Sequence, residues 1–143
     1  MVGCAQRILE LAVDYAKVRV QSGRPIGSFQ AIQHSCADLL RNVESARVLV
    51  QHAAWALGRA SESGAAGGER TAAGAENAVA TAKAYAGDKC LEVARKAHQI
   101  FGAIGYCEEH PLHLLHKRIQ AASLDFGDRA THLETVARFT GLQ

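Results

Sequence analysis

The chain has 143 residues, 48% of them hydrophobic and 21% charged, with a formal net charge of +2. That length supports one domain with a real core, and this much apolar material needs no disulfide or metal staple. The near-neutral balance gives no reason to expect a nucleic acid or an anionic membrane as partner, and no apolar run is long enough to span a bilayer.

Abundant alanine and only 2 prolines favour helix over strand. Val2, Ala5, Leu9, Ala12, Val13 and Ala16 recur at helical spacing, with Glu10, Asp14, Lys17 and Gln21 between them. The pattern predicts a first helix from Val2 to Gln21, broken by the stretch from Ser22 to Gly27, which carries Gly23, Pro25 and Gly27. Ser28 reads as the N-cap of a second helix that runs to Arg59. Its expected buried face holds Ile32, Cys36, Leu39, Leu40, Val43, Ala46, Val50, Ala53, Ala54 and Leu57, with Trp55 also read as packing. The Gly- and Ser-rich stretch from Ser61 to Gly74 reads as an exposed flexible loop.

A third helix is expected from Ala75 to Ile104, ended by Gly102 and Gly105, with Gly87 permitting a close helix contact. Lys83, Lys89, Arg95 and Lys96 read as its solvated face. Pro111 suits the first turn of a fourth helix that ends at Leu124, and Gly127 separates it from a last helix, Arg129 to Phe139. The expectation is an all-α, antiparallel up-and-down helical bundle over residues 1–143, with three long and two shorter helices and no strand.

The four cysteines, Cys4, Cys36, Cys90 and Cys107, form no Cys-x-x-Cys pair and sit in apolar or helical stretches. They read as free thiols in a reducing cytoplasm, and Cys90 or Cys107 as a nucleophile lacks a specific partner. Met1 runs into a mixed sequence with no signal peptide. Helical periodicity starts at once, without a capping sequence, which suggests a domain cut from a longer chain; a natural short protein is the other reading. His110, His113 and His116 spread over about a third of a helix circumference. They read as surface histidines rather than a metal site, since no Glu-x-x-His pattern accompanies them. His34, His52, His98 and His132 have no grouping.

Two segments are more specific than a generic bundle requires. The first runs from Tyr15 to Gln30; the second runs from Gln99 to Tyr106 and is followed by Glu109 and Pro111. Arg19 offers a planar donor fork suited to phosphate. Gly23 and Gly27, like Gly102 and Gly105, let a ligand approach the backbone, and Gln30 supplies both donor and acceptor. Each alone is an ordinary helix-ending loop.

Together and in this order they resemble the C-terminal domain of the acyl-CoA dehydrogenase family, over nearly the whole chain. The family pattern Tyr-x-x-x-Arg-x-x-Phe-Gly-x-x-Ile-x-x-Phe-Gln is met by Tyr15, Arg19, Gly23, Ile26, Phe29 and Gln30. The pattern Gln-x-x-Gly-Gly-x-Gly-Tyr/Phe is met by Gln99, Gly102, Gly105 and Tyr106. The resemblance implies a flavoprotein oxidoreductase that forms an α,β double bond in acyl-CoA thioesters. It implies that this domain builds the interface with a homologous subunit, in a homo- or hetero-oligomer. It also implies FAD contacts from Arg19, Ile26, Gln30, Gln99 and Gly102, the first motif reaching the FAD of a neighbouring subunit.

Three departures stand out. Ser22 replaces the family phenylalanine, and Ala103 replaces the second glycine of its pair. The family segment Tyr-Glu-Gly-Thr, whose glutamate removes the α-proton, aligns with Asp125-Phe126-Gly127-Asp128. A phenyl ring at Phe126 cannot accept a proton, while Asp125 and Asp128 lie one or two residues off register on a shorter side chain. Some family branches carry the base on the first helix of this domain, at a position that would precede Met1. The resemblance thus implies a non-catalytic subunit of the kind found in heteromeric bacterial enzymes acting on steroid side-chain CoA thioesters. The alternative is a helical oligomerisation module without flavin binding.

Overall fold

The computed structural model of the chain describes residues 1–62 and 68–142. Its α-helices are α1 (Val2–Val18), α2 (Gln30–Glu62), α3 (Gly68–Phe101), α4 (Leu112–Leu124) and α5 (Arg129–Thr140). Short 3₁₀ turns at Ile26–Ser28 and Gly102–Tyr106 lie within the first and second motif segments. The all-α bundle expected from periodicity is the fold observed.

Contacts between elements give the directions. Gln6 on α1 accepts from Arg47 on α2, and Asp38 on α2 pairs with Lys96 on α3 while Ala53 packs on Ala78 and Ala82. His98 on α3 meets His116 on α4, while Lys83 reaches Ser123. The helices thus alternate up and down through α4. α5 continues in the direction of α4 along the same α3 partner, since Leu133 lies by Tyr85 and Phe139 lies by Ala73.

The core gathers where four helices meet. Ile8, Leu39, Val43, Val93, Leu112 and Ile119 are fully buried there, with Ala5, Ala12, Ala46, Ala94 and Ala97 allowing close approach. Burying each of the larger aliphatic side chains contributes about 1.5–3 kcal/mol. α2 and α3, at 33 and 34 residues, extend to about 50 Å each. They outlast this core. Beyond Ala46 they hold each other through a thin alanine contact of Ala53, Ala78 and Ala82.

That geometry corrects several sequence expectations. Val50 and Leu57 are exposed, and Trp55 is 60% exposed, because the outer half of α2 has a helix on one side only; Leu40, beside buried Leu39, is on the outward face of the inner half. Asn42 is buried among the apolar residues instead. Residues 61–62 and 68–74 are helical rather than loop, and the remainder of that expected loop, 63–67, lies outside the described residues. α1 stops at Val18, three residues early, and α3 stops at Phe101.

The strand-free expectation also fails locally. Val20–Gln21 (β1) pairs antiparallel with Arg24–Pro25 (β2) in a minimal hairpin. Ser22 and Gly23 turn it with φ of 52° and 77°. Two successive positive φ values are the mark of the tight hairpin turn whose twist matches the strands. No helix among the described residues is long and apolar enough to cross a membrane.

Candidate functional site

The first motif segment is a folded cap on the end of α1. The Arg19 amide donates to Tyr15 O at 2.8 Å, and the Arg19 carbonyl accepts from Ile26 N at 2.8 Å. These bonds place Arg19 at the exit of α1 and at the base of the hairpin. Ile26 is 9% exposed and belongs to the core, so its side chain anchors the hairpin and does not face outward. Gly27 is demanded by packing, because a Cβ there would lie 2.9 Å from the Ala16 carbonyl oxygen. Ser28 does not cap α2. Its hydroxyl donates to Pro25 O at 2.7 Å, and α2 opens at Gln30. The Arg24 guanidinium lies over the Phe29 ring at 4.1 Å, a cation–π contact that stiffens the same turn.

The second segment ends α3. Gln99 is exposed on the last turn, and Gly102 adopts φ of +64°. A Cβ on Gly102 would meet nothing, so glycine serves backbone freedom at this point, not space. Gly105 differs: its added Cβ would meet Phe101 Cβ at 2.9 Å and Leu112 Cδ2 at 3.3 Å. Ala103 is exposed.

One contact unites the two segments. The Tyr15 ring, one turn before Arg19, packs on the Phe101 ring, next to Gly102, with centroids 4.8 Å apart. Because α1 and α3 run in the same direction, both motif segments lie at one end of the bundle. Arg19, Gln30, Gln99 and Gly102 are all exposed there. The side chains of Arg19, Gln30 and Gln99 are committed to no hydrogen bond or ion pair among the described residues. Such a set offers one guanidinium, two amides and open backbone to an anionic, hydrogen-bonding ligand.

Phe126 lies elsewhere. It follows α4, with its ring 96% exposed and its backbone at φ of +60°, a strained state for an aromatic residue. Gly127 continues at φ of +99°. Three fastenings hold this loop. Lys83 Nζ donates to Ala122 O, Ser123 O and Gly127 O at 3.0, 3.0 and 3.2 Å. His132 Nε2 donates to Phe126 O at 3.1 Å. Asp128 caps α5, accepting from Thr131 N at 2.9 Å and Thr131 Oγ1 at 2.8 Å. Those bonds hold the Asp128 carboxyl below its usual range and commit it to structure. Lys83 therefore corrects the reading of a solvated cation: it caps α4 and clamps the loop. Lys89 and Lys96 stay part-exposed on that face, where both pair with Glu92.

The histidines also regroup. His113 Nδ1 bonds His110 O at 2.9 Å, and His110 Nδ1 accepts from Leu112 N. His116 turns inward instead, its Nδ1 3.0 Å from Nε2 of buried His98. The sequence showed no grouping for His98, because its partner is eighteen residues away on another helix. No group of three or more His, Cys, Asp or Glu side chains converges as a metal cage among the described residues. Cys90 is buried, and burial pushes its thiol up to about 11; Cys107 is exposed, contrary to its apolar-stretch reading.

Comparison with known proteins agrees with the geometry. The family model described as acyl-CoA dehydrogenase, C-terminal domain, matches residues 1–141. Acyl-CoA dehydrogenase IpdE2 of Mycobacterium tuberculosis is 38% identical over 122 residues, 85% of this chain and 33% of the relative. Among solved structures, an FAD complex of PigA superposes with a TM-score of 0.85 at 26% identity, covering 99% of this chain and 34% of that one. A steroid ACAD, Tcur3481-Tcur3483, superposes with a TM-score of 0.80 at 29% identity, over 98% of this chain and 36% of that one. The chain thus spans about a third of the length of these relatives. It belongs to the acyl-CoA dehydrogenase family and corresponds to the family's C-terminal helical domain.

Proposed function

We propose that this chain contributes FAD contacts and a subunit interface to an acyl-CoA dehydrogenase, while supplying no α-proton base of its own. The observation that carries the reading is the union of the two motif segments through Tyr15 and Phe101. It sets Arg19, Gln30, Gln99 and Gly102 at one end, uncommitted to the protein's own structure. The donors suit a pyrophosphate and its adenosine: a planar cation for phosphate oxygens, amides for polar edges, and a glycine backbone free of crowding. Ile26 acts through its anchoring of the hairpin. Two-electron oxidation is the chemistry that flavin supplies when bound; this chain's residues would bind and orient it.

The Phe126 loop supports the second half of the reading. It is fixed beside Lys83, nineteen residues before Gly102 on α3, or about 28 Å along the helix axis. One chain thus presents its dinucleotide-facing end and its base-position loop to different places. That separation suits an assembly in which a homologous subunit completes each site, as the two-part designation of the steroid ACAD relative suggests. With a phenyl group at Phe126 and Asp128 engaged as a cap, α-proton removal falls to another residue, on the partner subunit or on a domain outside this chain.

A titration of the chain with FAD, followed by quenching of flavin fluorescence, tests the contacts. Saturable binding weakened at least fivefold by Arg19→Ala and by Gln99→Ala supports them. Identical binding in all three proteins would remove these residues from the site. The second reading, an oligomerisation module without flavin, draws on the exposed Val48, Val50, Trp55 and Leu57 of α2. It predicts a folded oligomer with no FAD binding. Phe126→Glu in the assembled enzyme separates the readings further, since a gain of dehydrogenation requires that the loop face a substrate.

A further inference from the structure

The face of α3 and α4 beyond the Tyr15–Phe101 contact carries a pocket of about 350 Å³ that the flavin reading does not use. Arg95, His98, Tyr106, His113, His116 and Lys117 line it, with the Gln120 amide at its edge, and no carboxylate does. Arg19, Gln30, Gln99 and Gly102 are absent from its wall. Elsewhere on α3, Lys89 and Lys96 pair with Glu92, and Lys96 also with Asp38, while Lys83 is shared by three carbonyls. Arg95 and Lys117 take part in none of the ion pairs among the described residues.

The floor of the pocket is the His98–His116 pair, joined at 3.0 Å. His98 is 6% exposed, stacks on Tyr106 at 4.7 Å between centroids, and has a buried Nδ1 with no hydrogen-bond partner. The neutral pair holds two protons, one of them in the N–H···N bond. One added proton leaves that bond intact; a second added proton would break it. Burial holds both imidazoles below the usual histidine range; the Gly105 backbone opposes this at His98, while the charge of His110 at His98 and those of His98 and Arg95 at His116 add to it. Tyr106, His113 and Lys117 complete the titratable and charged groups that face the pair. A pocket with two unpaired cations, a convertible imidazole pair, a phenol and an amide has donors in excess and no carboxylate to pair with a cation.

We propose that this pocket binds a phosphate-class oxyanion, and that binding is coupled to uptake of one proton by the His98–His116 pair. The anion supplies the countercharge that burial otherwise denies the imidazolium, and Arg95 and Lys117 hold its outer oxygens.

The test is calorimetric titration of the chain with sulfate, whose charge is constant between pH 6 and 8, and in parallel with inorganic phosphate. Where one proton is taken up, binding should tighten about tenfold for each unit the pH falls, so up to about a hundredfold between pH 8 and pH 6. Buffers of different ionisation enthalpy should report uptake of close to one proton. Arg95→Ala and Lys117→Ala, both at exposed positions, should each weaken binding several-fold without loss of folding. His116→Gln should abolish the proton uptake while leaving pH-independent binding. CoA serves as a ligand-borne phosphomonoester: tighter binding than inorganic phosphate assigns the pocket to a carried phosphate, and equal binding to the free ion. No sulfate binding at either pH, or binding unchanged in both the Arg95 and Lys117 variants, would overturn the proposal.

Discussion

Replacing Lys83 with Met tests the most unexpected structural role in the chain. The substitution keeps the length and most of the packing of the side chain, while removing the ammonium that three carbonyls share. Ala122 and Ser123 lie in the last turn of α4, where carbonyls have no partner within the helix. Gly127 O follows the left-handed Phe126. A hydrogen bond from a charged donor contributes about 1.5–3 kcal/mol net. The three bonds come from one ammonium and do not sum. Lys83 is only partly buried, so solvent replaces some of the loss, and a destabilisation of about 2 kcal/mol is expected. For a chain of this size that corresponds to a fall in Tm of about 4–8 °C. Urea unfolding should show a lower midpoint with an unchanged slope. Amide exchange should quicken across Phe126 to Ala130, because the strained backbone loses its clamp. A change below about 0.5 kcal/mol, with exchange in that loop unaltered, would refute the clamp.

Three further outcomes follow from the same geometry. Gly27→Ala should destabilise by about 1–3 kcal/mol in chemical denaturation, because the new methyl meets the Ala16 carbonyl oxygen at 2.9 Å and that backbone cannot yield. Alkylation at pH 8 should modify Cys107 first and Cys90 only on unfolding. Cys90 is 1% exposed with its thiol pushed up to about 11, which leaves about one thiol in a thousand ionised. Stability should fall in two stages on acidification, read by thermal melts from pH 7.5 to 3. His98 and His116 are held below 6.5, so the unfolded chain binds more protons below that value and the stability of their neutral forms is lost as pH drops. Glu92, lowered to about 2 by hydrogen bonds from Lys89 and Lys96, contributes stability above 4.5 that is lost between 4.5 and 2. Glu92→Gln should reduce the lower stage and leave the upper one unchanged, the remainder of the lower stage coming from Asp128 and Glu10, both also lowered.

The helices were legible because apolar spacing of three and four residues reports a buried face directly, as Ala5, Leu9, Ala12 and Ala16 show. The spacing does not report how far the partner extends. α2 keeps its apolar rhythm past Ala46, where the four-helix core ends, so Val50, Trp55 and Leu57 were placed inside and are outside. A two-residue strand has no periodicity, and the hairpin at Val20–Pro25 had one signal, the Ser22-Gly23 pair. The candidate ligand-facing residues were found through motif resemblance, not spacing. Lys83 and the His98–His116 pair were missed for one reason: each depends on a neighbour from another helix, and local sequence carries no record of it.

The most direct measurement of the central claim is flavin absorbance of the purified chain after gel filtration with FAD, taken together with its light-scattering mass. The account predicts flavin absorbance co-eluting with an oligomer, and its loss in the Arg19→Ala variant at unchanged mass. A folded oligomer of the same mass that carries no flavin would contradict the claim and leave the chain as an interface domain alone.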